Sequence, residues 1–337
     1  MEIRQVQPVD FARLGAEWRA LEANCPAAGF FQSWSWVGCL AGERYPSPVL
    51  LRAQAAGETI GLALFNKAAG RLCLAENGDA ALDAPFIEHN APLARDDAIA
   101  GALLQAAWQV PGMRRLRLSG AAPALVAAAG GIALRAQERQ APFVDLEALR
   151  GTGHDHLASR SANTRQQIRR SNRFYAPLRL ECAGDAAQAL AWFEALVAQH
   201  TQSWQARGKP GAFATPFLLR FHRALIAEAT PRGEVEMLRI SAGDTAIGHL
   251  YNFRHRRRVS AYQSGFALDA AGSHGKPGLT SHAMAIERAM AAGDDVYDFL
   301  GGADRYKRSL ADAATPLLWT ELVRPWSLLG LAARLRR

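Results

Sequence analysis

The sequence predicts an α/β (α+β) fold in two domains, each with a central sheet flanked by helices. Apolar residues recur at helical spacing in several segments, and strand-length apolar runs bounded by glycine turns alternate with them. The chain has 337 residues, 49% of them hydrophobic, which is enough to bury two cores. Its charged fraction of 21% is that of an ordinary globular protein.

The first predicted domain covers residues 1–150 and alternates helices with short strands. Periodic apolar residues predict helices at Asp10–Ala23 and Asp97–Gln109. Glycine turns at Ala56-Gly57 and Ala69-Gly70 separate three of the strands. The predicted strands, in order, are Val49–Ala53, Thr59–Phe65, Arg71–Ala75 and Arg115–Leu118.

Three polar side chains stand together just ahead of Pro92. Glu88, His89 and Asn90 are adjacent in a predicted strand end or loop. They form either an exposed turn or an edge that contacts substrate in the cleft between the domains. Both interpretations stay open on sequence alone.

The second predicted domain covers residues 151–337 and opens on an arginine-rich helix. Ser161 or Asn163 begins this helix, and Arg165, Arg169 and Arg173 then share one face. Like charges at this spacing repel each other. The arginines are therefore either fully solvated or bound to an anion.

Two amphipathic helices, at 185–200 and 217–226, lead into three strands. The strands are predicted at Val235–Ser241, Thr245–Phe253 and Val259–Phe266. Strand alternation places Ile247, His249, Tyr251 and Phe253 on one face. A histidine among apolar neighbours is either a hydrogen-bonded structural group or a general base. The last strand, Leu317–Val323, precedes a basic helix that either packs on the domain or contacts a membrane or partner.

A stretch from Gly272 to Lys307 is the centre of the functional prediction. Its glycine-rich loop leads into a helix that Thr280 or Ser281 is predicted to cap. The free N–H groups of that helix's first turn favour an anion such as a diphosphate. The alternative is an ordinary flexible helix entry. The short strand that follows carries Asp298, a carboxylate that must be paired or functional in an apolar run.

The second half resembles the GNAT-type acyltransferase domain of the CelD-type acetyltransferase family, associated with cellulose biosynthesis. It is more distantly similar to the second domain of the Fem aminoacyl transferases. The resemblance spans about Ala158–Leu322. Its motifs, in order, are Arg165, Arg169 and Arg170; IGHLYNF from Ile247; AYQSGF from Ala261; KPG at Lys276–Gly278; Asp298-Phe299; and Tyr306-Lys307.

The resemblance implies two GNAT-like domains with mixed, mostly antiparallel central sheets, the first of them degenerate. It implies transfer of an acyl group from a thioester, acetyl-CoA or a longer acyl-CoA, to an amine in the cleft between the domains. In such folds the diphosphate rests on the loop and helix start that correspond here to Lys276, Gly278, Leu279, Thr280 and Ser281. The segment SHGKPG departs from the usual GNAT fingerprint, which leaves the identity of the donor open.

The leading hypothesis is an N-acyltransferase in which the amine attacks the thioester directly. His249 is the first candidate for the base because its pKa suits proton transfer near neutrality, followed by His89, Glu88 and Asp298. Tyr262 or Tyr306 protonates the departing thiolate. The acceptor is a small molecule or a saccharide or lipid amine. Predicted acceptor contacts are Glu88, His89, Asn90, Arg165, Arg169, Gln263 and Lys307, the last also a candidate to neutralise Asp298.

Composition and charge limit the other classes of function that the protein could have. The net charge of +8 favours anionic partners. Scattered cysteines argue against a metal site, and the absence of an apolar signal core or membrane span predicts a cytoplasmic protein. Few aromatics interleave the basic runs, which argues against sequence-specific nucleic-acid binding. The alternative functions are aminoacyl transfer from tRNA and non-catalytic binding of an acidic polymer.

Overall fold

The computed structural model describes residues 1–84, 86–267, 275–302 and 304–334. The chain forms two compact units. Unit 1 is Met1–Arg139 with Pro316–Arg337, and unit 2 is Gln140–Thr315. Gly272 of the predicted loop lies outside the described residues. The division into domains at residue 150 stays a prediction.

The elements of unit 1 are β1 Glu2–Val6, α1 Phe11–Ala23, α2 Trp34–Val37, α3 Ala41–Arg44, β2 Pro48–Ala55, β3 Glu58–Ala68, β4 Arg71–Leu74, β5 Leu93–Ala94, α4 Asp97–Ala107, β6 Arg115–Ala121, α5 Pro123–Ala129, β7 Ile132–Asp145, β13 Ala313–Val323 and α13 Leu328–Arg334. Its sheet has the order β1-β2-β3-β4-β6-β13, and β5 pairs with β3. Two tight hairpin turns, at Ala56-Gly57 and Ala69-Gly70, have positive φ at both positions, as the predicted turns require.

The chain enters unit 2 within β7 and leaves it within β13. The elements between them are α6 Leu146–Thr152, α7 His156–Ser159, α8 Ala162–Tyr175, β8 Leu178–Cys182, α9 Ala186–Gln205, α10 Pro216–Ala229, β9 Val235–Ala242, β10 Thr245–His255, β11 Arg258–Phe266, α11 Pro277–Ala291, β12 Val296–Asp298 and α12 Arg305–Leu310. The sheet of unit 2 has the order β7-β12-β11-β10-β9-β8.

The two units share one sheet plan. Among the described residues each sheet contains one short parallel pair, β4 with β6 in unit 1 and β11 with β12 in unit 2, and its other pairs are antiparallel. Each parallel pair is only three residues long. A helix packs its apolar face against each sheet, α4 in unit 1 and α11 in unit 2. The predicted fold class, with mixed and mostly antiparallel sheets flanked by helices, is confirmed.

Two local predictions are wrong. Helix α11 begins at Pro277 with Lys276 as its N-cap, so Thr280 and Ser281 lie inside the helix and do not cap it. The N–H of a first helical residue has no partner within the helix, so proline loses nothing at that position by lacking one. Its ring also fixes φ at a helical value, and both properties favour the earlier start at Pro277. Ile247 does not share the face of His249, because a register shift between Ala246 and Gly248 interrupts the alternation. Among the described helices, none is both long and apolar enough to cross a membrane.

Candidate functional site

The start of α11 packs against α8, the predicted arginine-rich helix. The Ser171 hydroxyl accepts a hydrogen bond from the Lys276 backbone N–H at 2.9 Å and lies 2.8 Å from the Thr280 hydroxyl. Thr280 donates to Asn172 at 3.0 Å, and the Lys276 ammonium donates to Gln167 at 2.7 Å. The polar residues of α8 therefore hold the helix start in place.

Three buried polar atoms around this helix start have no hydrogen-bond partner among the described residues. They are the Tyr175 hydroxyl, the Ser281 hydroxyl and His282 Nε2. The residues are 4%, 0% and 2% exposed. A buried polar atom without a partner costs about 1–3 kcal/mol, so three of them together indicate a site that a ligand completes.

Two glycines give these hydroxyls their room. A Cβ at Gly275 would lie 2.5 Å from the Tyr175 hydroxyl, and a Cβ at Gly248 would lie 2.6 Å from the Ser281 hydroxyl. Both distances are below normal contact. Any larger residue at either position would displace the hydroxyl that it meets.

His282 lies within a group of aromatic side chains. Its Nδ1 is 2.9 Å from the Tyr297 hydroxyl, and its ring stacks on Tyr306 with centroids 5.3 Å apart and planes at 22°. Phe299 and Phe266 complete the group. Burial, and then the nearby Lys307 charge, lower the pKa of His282 to about 3, so the imidazole is neutral at pH 7. Burial and Asp304 raise the pKa of Tyr306.

The strands β11 and β12 separate directly beside α11. They pair only from Arg258 with Val296 to Ser260 with Asp298, whereas β11 continues to Phe266. Within the described residues, no strand pairs with 261–266 on that side. The sheet therefore opens along this edge of β11.

An ion pair stabilises the point of separation. Asp298 is fully buried, and its carboxylate accepts from the Arg258 guanidinium at 2.7 Å and from the Leu300 N–H at 2.7 Å. The Lys307 ammonium donates to the Phe299 carbonyl at 2.8 Å and to that of Gly301 at 3.2 Å.

His249 lies on the face of β10 opposite α11. Neighbouring strand residues point to opposite faces, and Gly248 meets Ser281 of α11 whereas His249 Nδ1 is 3.0 Å from Gln199 Oε1 of α9. Gly265, the cross-strand partner of His249, leaves the space that Gln199 occupies. Burial, and then Arg239, lower the pKa of His249 to about 4, so the near-neutral pKa on which its choice as a base rested is not found.

Tyr262 and Gln263 lie on the face of the sheet that carries His249. Tyr262 packs on Phe253 with centroids 4.5 Å apart. A register shift at Tyr262 interrupts the alternation of β11, and Gln263 is the cross-strand partner of Tyr251, whose ring contacts Phe193 of α9 on that face. The Arg165 guanidinium donates to the Ala158 and Arg160 carbonyls at 3.2 and 2.5 Å, whereas Arg169 is exposed to solvent.

Glu88, His89 and Asn90 belong to unit 1. Glu88 and Asn90 are buried, and the Asn90 amide donates to the Leu74 carbonyl at 3.0 Å. His89 has a positive φ of 48°, and its carbonyl accepts from Gln32 at 2.6 Å. These contacts fix the segment on its own unit, and its role towards a substrate stays a prediction.

In unit 1 the gap beyond the parallel pair is bridged by side chains. Past the last paired residues of β4 and β6, the Ser119 hydroxyl donates to Glu76 at 2.6 Å. Arg117 lies 3.5 Å from the same carboxylate and 3.6 Å from Asp83. Burial, and then Asp83, raise the pKa of Glu76 to about 7. Polar side chains of unit 1 thus occupy the space beyond its parallel strand pair, whereas in the described part of unit 2 the corresponding edge of β11 is unpaired.

Sequence reasoning missed Tyr175, His282 and Glu76. Tyr175 ends a helix, and His282 follows Ser281 inside another, so neither has a local motif. The one available signal was the run Thr280-Ser281-His282, three consecutive polar residues in a helix whose other buried residues are apolar. Their neighbours come from distant segments, which only the fold brings together.

Residues 158–308 match the family model described as the acetyltransferase (GNAT) domain. This range contains His249, the start of α11 and Tyr306. No curated protein matches the chain. The match leaves the CelD-type family a prediction, because the model describes the GNAT domain as a whole.

Several solved structures resemble the chain over almost its whole length. FemX is 12% identical with a TM-score of 0.61, over 95% of this chain and 97% of that one. The C-terminal domain of a provisionally named lysylphosphatidylglycerol synthetase from Agrobacterium fabrum is 12% identical with a TM-score of 0.58, over 96% of both chains. L-PGS from Bacillus licheniformis is 13% identical with a TM-score of 0.54, over 94% and 95%. The chain therefore has the fold of these structures, and the GNAT domain match lies within unit 2.

Proposed function

We propose that the protein is an N-acyltransferase that moves an acyl group from acyl-CoA, acetyl-CoA or a longer thioester, to an amine. The observation that supports this most directly is the group of unpartnered polar atoms around the start of α11. The first intrahelical bond there runs from Thr280 to Lys276, so the Gly278 and Leu279 N–H groups precede it. Amides, hydroxyls and the positive end of the helix dipole together suit a diphosphate.

The open edge of β11 gives the rest of the donor a place to bind. Residues 261–266 have no strand partner on that side within the described residues, and the pantetheine arm of CoA carries two amides. An extended chain with amides can pair with a free strand edge as another strand would. Under this proposal the thioester lies in the gap between β11 and β12.

In the proposed reaction the amine nitrogen attacks the thioester carbonyl, and the C–S bond breaks. His249 takes the proton from the amine. When its Nδ1 donates to Gln199, Nε2 keeps the lone pair that a base requires. Tyr306 or Tyr262 gives a proton to the departing thiolate, and its own raised pKa keeps Tyr306 protonated until then. A gap through the sheet would let groups on both faces reach one carbonyl.

The acceptor would be a small-molecule, saccharide or lipid amine, with Arg169 and Gln263 as contacts from unit 2. Aminoacyl transfer from tRNA is the second candidate. It is favoured by the fold shared with FemX and with proteins named for lysylphosphatidylglycerol synthesis. Loss of the reaction on RNase treatment would identify that donor. Non-catalytic binding of an acidic polymer is the third.

A thermal-shift panel tests the donor class before any acceptor is known. CoA, acetyl-CoA and a long-chain acyl-CoA are added to the full chain, with adenosine as the control without a diphosphate. Ligand at 100 times its Kd stabilises a protein by about 2.7 kcal/mol. We expect every thioester to raise the Tm. No rise with any of them, at concentrations up to a few times those found in cells, would contradict the proposal.

A further inference from the structure

A basic cavity in unit 2 lies apart from the start of α11. It has a volume of about 440 Å³ and lies between the N-terminus of α8 and the outer side of α12. Three arginines and four hydroxyl-bearing residues line it, and none of the lining residues carries a carboxylate. The lining is Ser159, Arg160, Ser161, Thr164, Arg305, Arg308, Ser309 and Ala311.

Arg160 forms the rigid wall of the cavity. Its side chain is buried, and its guanidinium donates to the Leu310 carbonyl at 2.9 Å and to the Ser159 hydroxyl at 3.0 Å. It also pairs with Asp312. The charge of Arg160 is thus balanced by the protein, and the charge that faces the cavity comes from the other two arginines.

Arg305 and Arg308 are exposed and stand three residues apart on α12, where side chains are neighbours. In the part of the chain that the structure describes, neither guanidinium has an ion-pair or hydrogen-bond partner. Two adjacent positive charges repel each other, and an anion between them removes that cost. Planar guanidinium groups bind phosphate oxygens through two parallel N–H groups each, which gives both affinity and geometry.

The hydroxyl groups divide into used and free donors. Ser159 and Ser309 donate to main-chain carbonyls, and Ser161 donates to Thr164. Among the described residues, the Thr164 hydroxyl is therefore the one of the four that donates no hydrogen bond. It adds a short-range donor to the two arginines.

We propose that this cavity binds the phosphate or diphosphate group of a small molecule, at a site separate from the start of α11. A multiply charged oxyanion satisfies both free guanidinium groups and the Thr164 hydroxyl at once, which a carboxylate or a single chloride does not. Tyr306 of the same helix stacks on His282 and does not line the cavity. The inference does not rest on acyl transfer.

Calorimetric titration of the full chain with inorganic pyrophosphate, at fixed ionic strength, tests this site. We expect Arg305→Ala/Arg308→Ala to weaken one binding event at least tenfold. The matched control is Arg13→Ala/Arg19→Ala, which removes the same charge from exposed positions on α1. It should leave the affinity within twofold. Arg305→Lys/Arg308→Lys should fall between, because lysine keeps the charge without the paired donors.

Two outcomes would overturn the proposal. Equal weakening in both double alanine variants would show that pyrophosphate responds only to net charge. Unchanged binding in Arg305→Ala/Arg308→Ala, with an unchanged Tm, would show that the cavity takes no phosphate. Sedimentation with phosphatidylglycerol vesicles separates the source of the ligand. Arginine-dependent vesicle binding without pyrophosphate binding would assign the site to a lipid surface and reject a small molecule.

Discussion

Arg258 and Asp298 pair at 2.7 Å across the last residues that β11 and β12 share. Beyond this pair the two strands separate beside α11. Asp298 is fully buried, and both of its oxygens are occupied, one by Arg258 and one by the Leu300 N–H. The ion pair therefore fixes the place where the sheet opens, and we expect Asp298 to support the site rather than to exchange protons there.

Asp298→Ala should lower the free energy of unfolding by about 3–5 kcal/mol, because it leaves buried partners without an acceptor. Asp298→Asn keeps an acceptor for Leu300 and should cost less. Asp295→Ala, which removes the half-exposed partner of Arg150 and Arg257, is the control and should cost about 1 kcal/mol or less. Chemical denaturation measures all three. Full stability of Asp298→Asn with complete loss of turnover would instead make Asp298 a catalytic group.

Ser281→Ala should weaken CoA binding without destabilising the free protein. The Ser281 hydroxyl is buried and has no partner among the described residues, so its removal relieves a cost in the absence of ligand. Thr280→Val is the matched control, because the Thr280 hydroxyl bonds both Ser171 and Asn172. We expect Thr280→Val to lower the Tm of the free protein and Ser281→Ala to leave it unchanged or raise it. A lower Tm for Ser281→Ala would contradict this account of the site.

The sequence was sufficient for many elements of the fold, because those elements depend on neighbouring residues. Periodicity and glycine turns gave β9, β10 and β11 to within two residues, and Ser161 does cap α8. Strands β1, β5, β7 and β8 were missed, since none of them is a clear apolar run bounded by turns on both sides. The site depends on distant contacts, such as Gly248 against Ser281. No local pattern encodes those contacts or the bulge that moves Ile247 away from the face of His249.

His249→Gln tests the proposed base. Glutamine keeps a polar group near Gln199 but cannot accept the proton, so turnover should fall by about 10² to 10⁴ while KM for acyl-CoA changes little. The control is His222→Gln, a buried histidine of the same face that contacts Tyr251 at 3.4 Å. His222→Gln should lower the free energy of unfolding and leave the turnover per folded molecule unchanged. A loss of less than about tenfold in His249→Gln would remove His249 from the mechanism.

Unit 2 should lose stability as the pH falls from about 6.5 to 4. Burial lowers the pKa of six of its histidines, four of them strongly, to about 4 for His156 and His249 and about 3 for His222 and His282. In that window the unfolded chain binds protons that the folded unit does not, so stability rises with pH by about 1.4 kcal/mol per unit for each histidine. Hydrogen exchange of unit 2 peptides at pH 7, 6 and 5 measures it. Equal protection at the three values, corrected for intrinsic exchange, would contradict the prediction.

Unit 1 should respond to pH in the opposite direction through Glu76. Burial and Asp83 raise its pKa to about 7 in the folded state, so between about 4.5 and 7 the folded unit holds a proton that the unfolded chain has released. Stability from this group is present below that window and is lost as the pH rises through it. Glu76→Gln cannot ionise and should stabilise unit 1 at pH 8 by up to about 3 kcal/mol, with little effect near pH 4.5.

The control for this variant is Asp83→Asn. The Asp83 carboxylate accepts from the Asn77 and Gly78 N–H groups at 2.7 and 2.8 Å, and an amide can accept from only one of them. Asp83→Asn should therefore destabilise unit 1 at both pH values. Hydrogen exchange of unit 1 peptides at pH 5 and 8 distinguishes the two variants. If Glu76→Gln destabilised unit 1 at pH 8, the carboxylate would have to be ionised and needed there, which would make Glu76 an anion that binds a cationic group.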